Sequence, residues 1–149
     1  MEIKEKINGE KIYLRQLKLE DINGNYPKWF DDPKVCEYNN HEPKTKTKQD
    51  FVNYVNSVLK SKNEYVFAIC DKENNTHIGN ISLQRIDWRN KNAEIAIVLG
   101  ERNYWGKGIG KEAWKLAMDF GFNELKLRRL YCGTHIENVG MQKIALSCG

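Results

Sequence analysis

The sequence predicts an α+β protein whose central sheet is mixed, mostly antiparallel and flanked by helices. Two observations support this fold class. Short apolar runs separated by polar turns occupy much of the first two thirds of the chain and predict consecutive antiparallel strands. A further strand then leads through a glycine-rich segment, residues 105–110, into a helix. With 149 residues, of which 40% are hydrophobic, the chain fits a single compact domain, 1–149.

The amino-terminal third of the chain predicts one strand followed by helices. Residues 12–17 are typical of a strand, and Asp21 is placed to begin a helix that runs toward Trp29. Thr47 and Asp50 have the spacing of a capping box at the start of a second helix. This helix carries one apolar stripe, which is formed by Phe51, Tyr54, Val55, Val58 and Leu59.

Three strands are predicted in the middle of the chain. Residues 65–70 and 78–86 are apolar runs on either side of the polar turn 71–76, and together they predict an antiparallel hairpin. After a second polar turn, residues 94–99 are almost continuously apolar. That composition is typical of a strand buried on both faces of a sheet.

The carboxyl-terminal third predicts a helix, a strand and a last helix. The first helix begins at the glycine-rich segment and is expected to end near Gly121. Residues 127–132 predict a strand, and Asn138 can cap the last helix. The apolar positions at helical spacing are Ile109, Ala113, Leu116, Ala117 and Phe120 in the first helix and Met141, Ile144, Ala145 and Cys148 in the second.

The glycine-rich segment predicts an anion-binding loop. Gly106, Gly108 and Gly110 allow the backbone to approach a ligand closely, and the helix that follows begins with unpaired N–H groups. Lys107 and Lys111 add positive charge beside those donors. Phosphate groups are anions that such loops commonly hold.

Spacing excludes one nucleotide-binding motif and leaves another open. A Walker loop needs four residues between its first glycine and a Gly-Lys-Ser/Thr ending, but only three separate Gly106 from Gly110, and Glu112 stands where the hydroxyl is required. The dinucleotide pattern GxGxxA fits from Gly108 to Ala113. Its place after antiparallel strands argues against it, since that fingerprint normally follows the first strand of a parallel unit. A turn that binds no ligand is the third interpretation.

Charge and cysteine spacing exclude other classes of site. The 24 basic and 20 acidic side chains leave a formal charge of +4, which falls short of the clustered basic surface of a nucleic-acid-binding protein. Cys36, Cys70, Cys132 and Cys148 have no metal-ligand spacing. We therefore expect free thiols and no metal site. Without an apolar stretch typical of a signal peptide or membrane span, we expect a cytoplasmic protein with no membrane partner.

The segment from Tyr104 to Gly110 resembles the motif of the GNAT superfamily, Gln/Arg-x-x-Gly-x-Gly/Ala. The match is Trp105-x-x-Gly108-x-Gly110, in which Trp105 departs from the usual first residue. The form Tyr104-Trp105-Gly106-Lys107-Gly108 is similar to the branch that contains ribosomal-protein alanine and spermidine acetyltransferases. The resemblance covers essentially the whole chain, including Leu14-Arg15-Gln16-Leu17 and His77-Ile78-Gly79-Asn80-Ile81.

The resemblance implies a three-layer fold and an N-acetyltransferase that moves an acetyl group from acetyl-CoA to a primary amine by direct attack in a ternary complex. The acceptor it implies is a protein amino terminus, a polyamine or an amino sugar. The alternative is a module of this fold that binds acyl-CoA or a partner without catalysis. The cofactor-binding residues it implies are Ile97, Val98 and Leu99 for the pantetheine arm, Trp105, Gly106, Lys107, Gly108, Ile109, Gly110 and Lys111 around the pyrophosphate, and Asn138.

Three residues are candidates for catalysis. Glu94 is an acid at the start of an apolar strand, where partial burial suits a general base. The family's usual general acid is a Tyr seven residues after the position of Asn138, and this chain has Ala145 there. Tyr131 and His135 are the expected replacements.

The end of the chain differs from the family pattern. Residues 147–149 resemble the start of a Leu-Gly-Phe segment that leads, in the family, into a final pair of strands. We therefore expect a domain shortened at its carboxyl-terminal end. A sheet that ends there would have an unpaired edge, and a homodimer through that edge is one hypothesis.

Overall fold

The computed structural model describes residues 5–37, 46–133 and 139–148. Its centre is a six-stranded sheet in which every strand lies beside its neighbour in sequence. The first four pairings are antiparallel and the last, between the fifth and sixth strands, is parallel. The strands are β1 (Ile7–Asn8), β2 (Ile12–Gln16), β3 (Tyr65–Asp71), β4 (His77–Asp87), β5 (Asn92–Leu99) and β6 (Arg129–Tyr131).

Five α-helices accompany the sheet in the described residues. They are α1 (Tyr26–Trp29), α2 (Pro33–Cys36), α3 (Lys48–Lys60), α4 (Ile109–Asp119) and α5 (Val139–Ser147). Two 3₁₀ turns, Leu19–Asn23 and Arg102–Tyr104, precede α1 and the glycine-rich segment, and a π-helical turn, Phe120–Glu124, continues α4. No described helix is both long enough and apolar enough to cross a bilayer.

The two faces of the sheet bury two separate apolar clusters, because successive side chains of a strand point to opposite faces. Even-numbered residues of β3, such as Val66 and Ala68, face α1, α2 and α3, with Phe51 and Val55 of α3 packed over them. Odd-numbered residues of β3 and β5, such as Phe67, face the other side and pack with α4. The helices therefore form layers above and below the sheet.

Most predicted elements form, and the departures from prediction are local. The capping box at Thr47 and Asp50 is confirmed, with the Thr47 side chain accepting from the Asp50 N–H. Asp21 is not the N-cap of a helix as expected, since it is the third residue of a 3₁₀ turn. Its carboxylate accepts from the Lys18 N–H at the start of that turn and also pairs with Arg15. The expected end of the helix near Gly121 agrees with α4, which ends at Asp119, although a π-helical turn that was not predicted continues the chain to Glu124. Strand β1 was not predicted.

The sheet opens between β5 and β6, and this opening positions the site. β6 pairs with β5 only along residues 92–94, where Glu94 lies opposite Tyr131. Beyond that point β5 continues to Leu99, and in the described part of the chain it pairs there with β4 alone. The prediction that residues 94–99 are buried on both faces therefore holds for Ile95, whereas Glu94 and residues 96–99 are only partly buried.

Candidate active site

One large cavity, of about 1090 Å³, lies at the opening between β5 and β6. It has two parts. The part we call the glycine limb is lined by the glycine-rich segment and α5, and includes Leu99, Trp105, Gly106, Gly108, Ile109, Gly110, Lys111 and Ile144. The part we call the aromatic limb lies under α1 to α3 and includes Tyr26, Phe30, Phe51, Tyr54, Asn80, Ser82, Gln84 and Glu94. Residues 94–99 line the cavity between them.

The backbone of β5 presents polar groups to this opening. The Gly100 N–H donates to the Ile78 oxygen of β4 at 2.9 Å, so the even-numbered backbone groups of this stretch face β4. The odd-numbered groups point the other way. At Leu99 the carbonyl oxygen accepts a hydrogen bond of 2.8 Å from Nε1 of Trp105. At Ile97 the N–H and C=O point into the opening, where a ligand backbone can pair with them.

The glycine loop has the geometry of an anion site. Gly106 and Gly108 have φ angles of 75° and 79°, a left-handed conformation that glycine adopts without a steric penalty. Gly108 is the N-cap of α4, and the first helical N–H bond is that of Glu112 to the Gly108 oxygen. The N–H groups of the first turn before Glu112 have no partner within the helix and carry the positive end of its dipole.

The two lysines of the loop lie on different sides of it. Lys111 lines the cavity, as an anion site requires. The side chain of Lys107 turns away, with Nζ 6.0 Å from the ring centroid of Tyr104, and borders a second depression behind the loop. Lys107 contributes to the loop through its backbone, since its carbonyl oxygen accepts from Nζ of Lys11 at 3.1 Å. Charge on the ligand side therefore comes from Lys111.

A carboxylate that the sequence did not assign fixes the start of α4. Glu112 accepts from the backbone N–H groups of Lys11, at 3.0 Å, and Ile12, at 2.9 Å. These bonds attach the first turn of α4 to the start of β2. In the sequence, Glu112 argues only against a Walker loop. Its partners lie about one hundred residues away, so no local pattern identifies its role in fixing α4.

Glu94 is the charged residue at the junction of the two limbs. Its side chain is 18% exposed, and Nη1 of Arg85 lies 3.3 Å from Oε2. That separation suits an ion pair, but the geometry does not make a hydrogen bond. Among the described residues, Oε2 of Glu94 is the buried side-chain oxygen without a hydrogen-bond partner. A carboxylate oxygen held in this way has a lone pair available for a proton from a ligand.

The other two predicted catalytic residues have different outcomes. Tyr131 lies opposite Glu94 across the parallel pairing, is partly buried, and has the Arg129 guanidinium carbon 5.3 Å from its ring centroid. It borders the opening without lining the cavity, whereas its near neighbour Gly133 does line it. His135 lies outside the described residues, and so does Asn138, the predicted cofactor ligand. Ala145 packs against the apolar cluster on the α4 face.

A buried polar network supports the aromatic limb. Arg15 and Asp21 form a bidentate pair, with distances of 2.9 and 2.7 Å. Nδ1 of His77 lies 3.9 Å from Asp21, and Nε2 lies 2.9 Å from the Gly79 oxygen and 2.7 Å from Oδ1 of Asn80. Burial lowers the pKa of His77 below its usual 6.5, although Asn80 and Asp21 oppose that effect. A neutral His77 therefore fixes Asn80, which lines the cavity.

Aromatic rings form the wall opposite the sheet. The ring of Tyr26 lies 5.8 Å from Phe30 and 5.3 Å from Phe51, centroid to centroid, in edge-to-face contacts. Burial raises the pKa of Tyr26 above its usual 10.0, so its hydroxyl stays protonated. The limb therefore offers aromatic surface on one side and polar side chains on the other.

Comparison with known proteins identifies the family to which a sheet and glycine loop of this kind belong. Residues 11–149 match a family model described as an acetyltransferase (GNAT) domain. The uncharacterized N-acetyltransferase p20 of Bacillus licheniformis is 34% identical over 142 residues, which is 94% of this chain and 79% of that protein. The spermidine N(1)-acetyltransferase of Escherichia coli K12 is 39% identical over 69 residues, which is 46% of this chain and 35% of that protein.

Two solved structures show the same fold. A spermidine N-acetyltransferase from Vibrio cholerae, in complex with CoA and spermine, has a TM-score of 0.85 at 22% identity, over 95% of this chain and 81% of that one. A putative ribosomal-protein-serine acetyltransferase from Vibrio cholerae has a TM-score of 0.80 at 21% identity, over 100% of this chain and 84% of that one. The predicted fold class, a mixed sheet flanked by helices, is confirmed.

Proposed function

The chain belongs to the GNAT acetyltransferase family, whose members use acetyl-CoA, and from this premise we propose that it acetylates an alkyl amine by direct attack in a ternary complex. One observation carries the proposal. A single cavity joins the glycine loop to Glu94 through the open edge of β5. Two reactants that enter from the two limbs meet beside that edge, without a covalent intermediate on the protein.

The residues of the glycine limb fit acetyl-CoA. The left-handed glycines and the first turn of α4 suit a pyrophosphate, with Lys111 adding a positive charge. The Ile97 N–H and C=O suit the amides of the pantetheine arm, and Val98 and Leu99 border the same slot. Acetyl-CoA supplies the thioester carbonyl that the amine attacks. Asn138 remains a proposed ligand from the sequence.

We assign the proton transfers to side chains at the junction of the limbs. Glu94 accepts the proton that the ammonium form of the acceptor loses before attack, since its Oε2 is buried and has no hydrogen-bond partner. The Ile97 N–H donates to the carbonyl oxygen as negative charge develops there. Tyr131, which borders the opening opposite Glu94, and His135 remain the two candidates from the sequence for giving a proton to the departing sulfur.

The aromatic limb favours a polyamine over the other two acceptors. A protonated alkylamine is stabilised by carboxylates and by the faces of aromatic rings, and this limb has both. Glu94, Glu37 and Asp50 line it together with the rings of Tyr26, Phe30, Phe51 and Tyr54. Lys34, whose Nζ lies 3.6 Å from Glu37, and Lys46 line it as well, so Glu94 is the carboxylate on which the polyamine assignment depends. The names of two similar proteins also refer to spermidine.

A thiol-release assay tests the proposal. Purified protein is given acetyl-CoA and, in separate reactions, spermidine, a peptide with an amino-terminal Ala, or glucosamine. We expect spermidine to stimulate release of free thiol the most, with one acetyl group added to the amine by mass spectrometry. Tight acetyl-CoA binding by calorimetry with no amine-stimulated thiol would instead favour a binding module of this fold. Faster release with the peptide or the sugar would overturn the polyamine assignment alone.

A further inference from the structure

A second connection, which the proposed chemistry does not use, joins the chain segments that line the two limbs of the cavity. Residues 100–102 lead from β5 toward the glycine loop, and Trp29 and Asp32 belong to the segment that carries α1 and α2. Two side-chain contacts join these segments. Nε1 of Trp29 donates to Oε1 of Glu101 at 2.9 Å, and the Arg102 guanidinium pairs with both carboxylate oxygens of Asp32.

Trp29 forms the fixed part of this second connection. Its side chain is 3% exposed, and its ring lies 4.9 Å from His77, centroid to centroid. The indole also packs directly on Gly100, where an added Cβ atom would lie 2.0 Å from Cδ2 of Trp29. Only glycine permits this approach. The close contact of Trp29 with Gly100 therefore fixes the position of α1 relative to the end of β5.

The pair of Asp32 with Arg102 forms the adjustable part. Its side chains are 26% and 52% exposed, so solvent reaches both. Asp32 is also the N-cap of α2 and accepts from the Lys34 N–H at 3.0 Å. Arg102 lies three residues before Trp105, whose indole N–H donates a hydrogen bond to the Leu99 oxygen at the edge of the glycine limb. One ion pair thus connects the start of α2 to the chain that enters the glycine loop.

The segment that Asp32 controls forms part of the aromatic limb. Phe30, Lys34, Val35 and Glu37 all line the cavity, and Asp32 lies among them in sequence. A ligand that fixes residues 105–110 also restrains Arg102, because only a short stretch of chain separates them. The Asp32 carboxylate, which binds Arg102 and caps α2, is the group that connects Arg102 to α2.

We propose that Asp32 and Arg102 are positioning residues, whose ion pair makes the placement of α2, and with it the wall of the aromatic limb, depend on occupation of the glycine limb by CoA. The inference rests on the proposed function only in taking CoA as the ligand of the glycine limb. It predicts that CoA orders the acceptor wall before any amine is present. The coupling belongs to the protein and CoA, so no amine has to be identified to measure it.

Hydrogen–deuterium exchange with and without CoA tests this coupling. In the wild-type protein we expect CoA to slow amide exchange at residues 105–111 and, about two- to fivefold, at residues 34–37, the range that an ion pair of this exposure supports. In Arg102→Ala, the slowing at residues 105–111 remains and that at residues 34–37 is lost. Arg89→Ala, an exposed arginine in the turn between β4 and β5, is the matched control and retains both effects.

Two further variants separate coupling from simple loss of structure. Asp32→Asn keeps a good N-cap for α2 but removes the charge that Arg102 pairs with, and we expect it to behave as Arg102→Ala does. The double variant should show no further loss, since both changes remove the same interaction. CoA-dependent slowing at residues 34–37 that survives in these variants, or is missing in the wild type while residues 105–111 respond, overturns the inference. No response at residues 105–111 in the wild type contradicts the proposed function instead.

Discussion

The indole Nε1 of Trp105 donates to the backbone oxygen of Leu99 at 2.8 Å, so the first residue of the glycine segment turns back onto the end of β5. Trp105 is 41% exposed and lines the cavity. This hydrogen bond occupies the Leu99 carbonyl oxygen, which lies at the end of the open edge of β5. It also fixes the entrance of the glycine loop relative to Ile97, whose backbone groups point into the same opening.

Replacing Trp105 by Phe keeps an aromatic ring and removes the donor. We expect the affinity for CoA to fall about two- to tenfold, because one hydrogen bond that orients the loop is lost. Isothermal titration calorimetry measures this change. Trp88→Phe is the matched control, since Trp88 is 40% exposed and its Nε1 donates to the Lys62 oxygen away from the cavity. An equal loss in both variants would contradict the role given to Trp105.

Replacing Gly108 by Ala tests the loop conformation. Gly108 has a φ of 79°, and an added Cβ would meet no atom within 4 Å, so the penalty is conformational strain and not a clash. The free loop can relax, but CoA binding requires the left-handed conformation again. We expect CoA affinity to fall about five- to thirtyfold. Gly24→Ala, at a negative φ and with only an ordinary contact to the Asp21 oxygen, should bind CoA as the wild type does.

Replacing Glu94 by Gln tests the proposed base. The amide cannot accept the proton from the amine, so kcat with spermidine should fall about 10²- to 10⁴-fold. Calorimetry should show CoA affinity within about twofold of the wild type, since Glu94 lies outside the glycine limb. Glu124→Gln, on the exposed π-helical turn, provides the matched control. A loss of less than about tenfold at Glu94 would assign the proton transfer elsewhere.

Local features of this protein were predictable from the sequence. The capping box at Thr47 and the glycine loop follow from residues that lie within a few positions of each other, and backbone conformation there depends on those residues. The mostly antiparallel strands were also predictable from polar turns and apolar runs. The strand β1 was missed because two residues, Ile7 and Asn8, carry too little pattern.

Features set by distant contacts were not predictable. Lys107 was expected to face an anion, but its side chain lies over the ring of Tyr104 and borders the depression behind the loop. Asp21 has the local pattern of a helix cap, and only the folded sheet brings Arg15 and His77 to it. The divergence of β6 from β5 after Glu94 is likewise invisible in the sequence, although it creates the cavity.

Replacing Glu112 by Gln tests the anchor of α4. The side-chain oxygen can still accept one N–H, but the amide NH₂ then faces a second backbone donor, from Lys11 or Ile12. We expect the free energy of unfolding to fall by about 1–3 kcal/mol, the usual penalty for a hydrogen-bonding group left without its partner. Urea denaturation measures it, with Glu124→Gln again as control. An unchanged midpoint would show that these bonds contribute nothing to stability.

Protonation of His77 should destabilise the folded protein. Burial holds the folded-state pKa of His77 below 6.5, while the unfolded chain has the usual value of 6.5. At pH 7.5 and above, both states are neutral and the group contributes no pH dependence. As the pH falls below about 6.5 toward the folded-state pKa, the unfolded chain binds the proton more readily, so stability falls.

The carboxyl of Asp21 does not produce this effect. Burial alone would raise the pKa of Asp21, but the hydrogen bonds from Arg15 and the Lys18 N–H lower it by more. The net pKa therefore lies below 3.8, so Asp21 titrates at a lower pH than His77 does. Urea denaturation at pH 7.5, 6.5 and 5.5 should show the wild type losing stability with acidification and His77→Gln losing less. His41 and His135 are present in both proteins and cancel in the comparison. Identical pH slopes would mean that His77 is protonated as easily in the folded protein as in the unfolded chain, and that Asn80 does not depend on its neutral form.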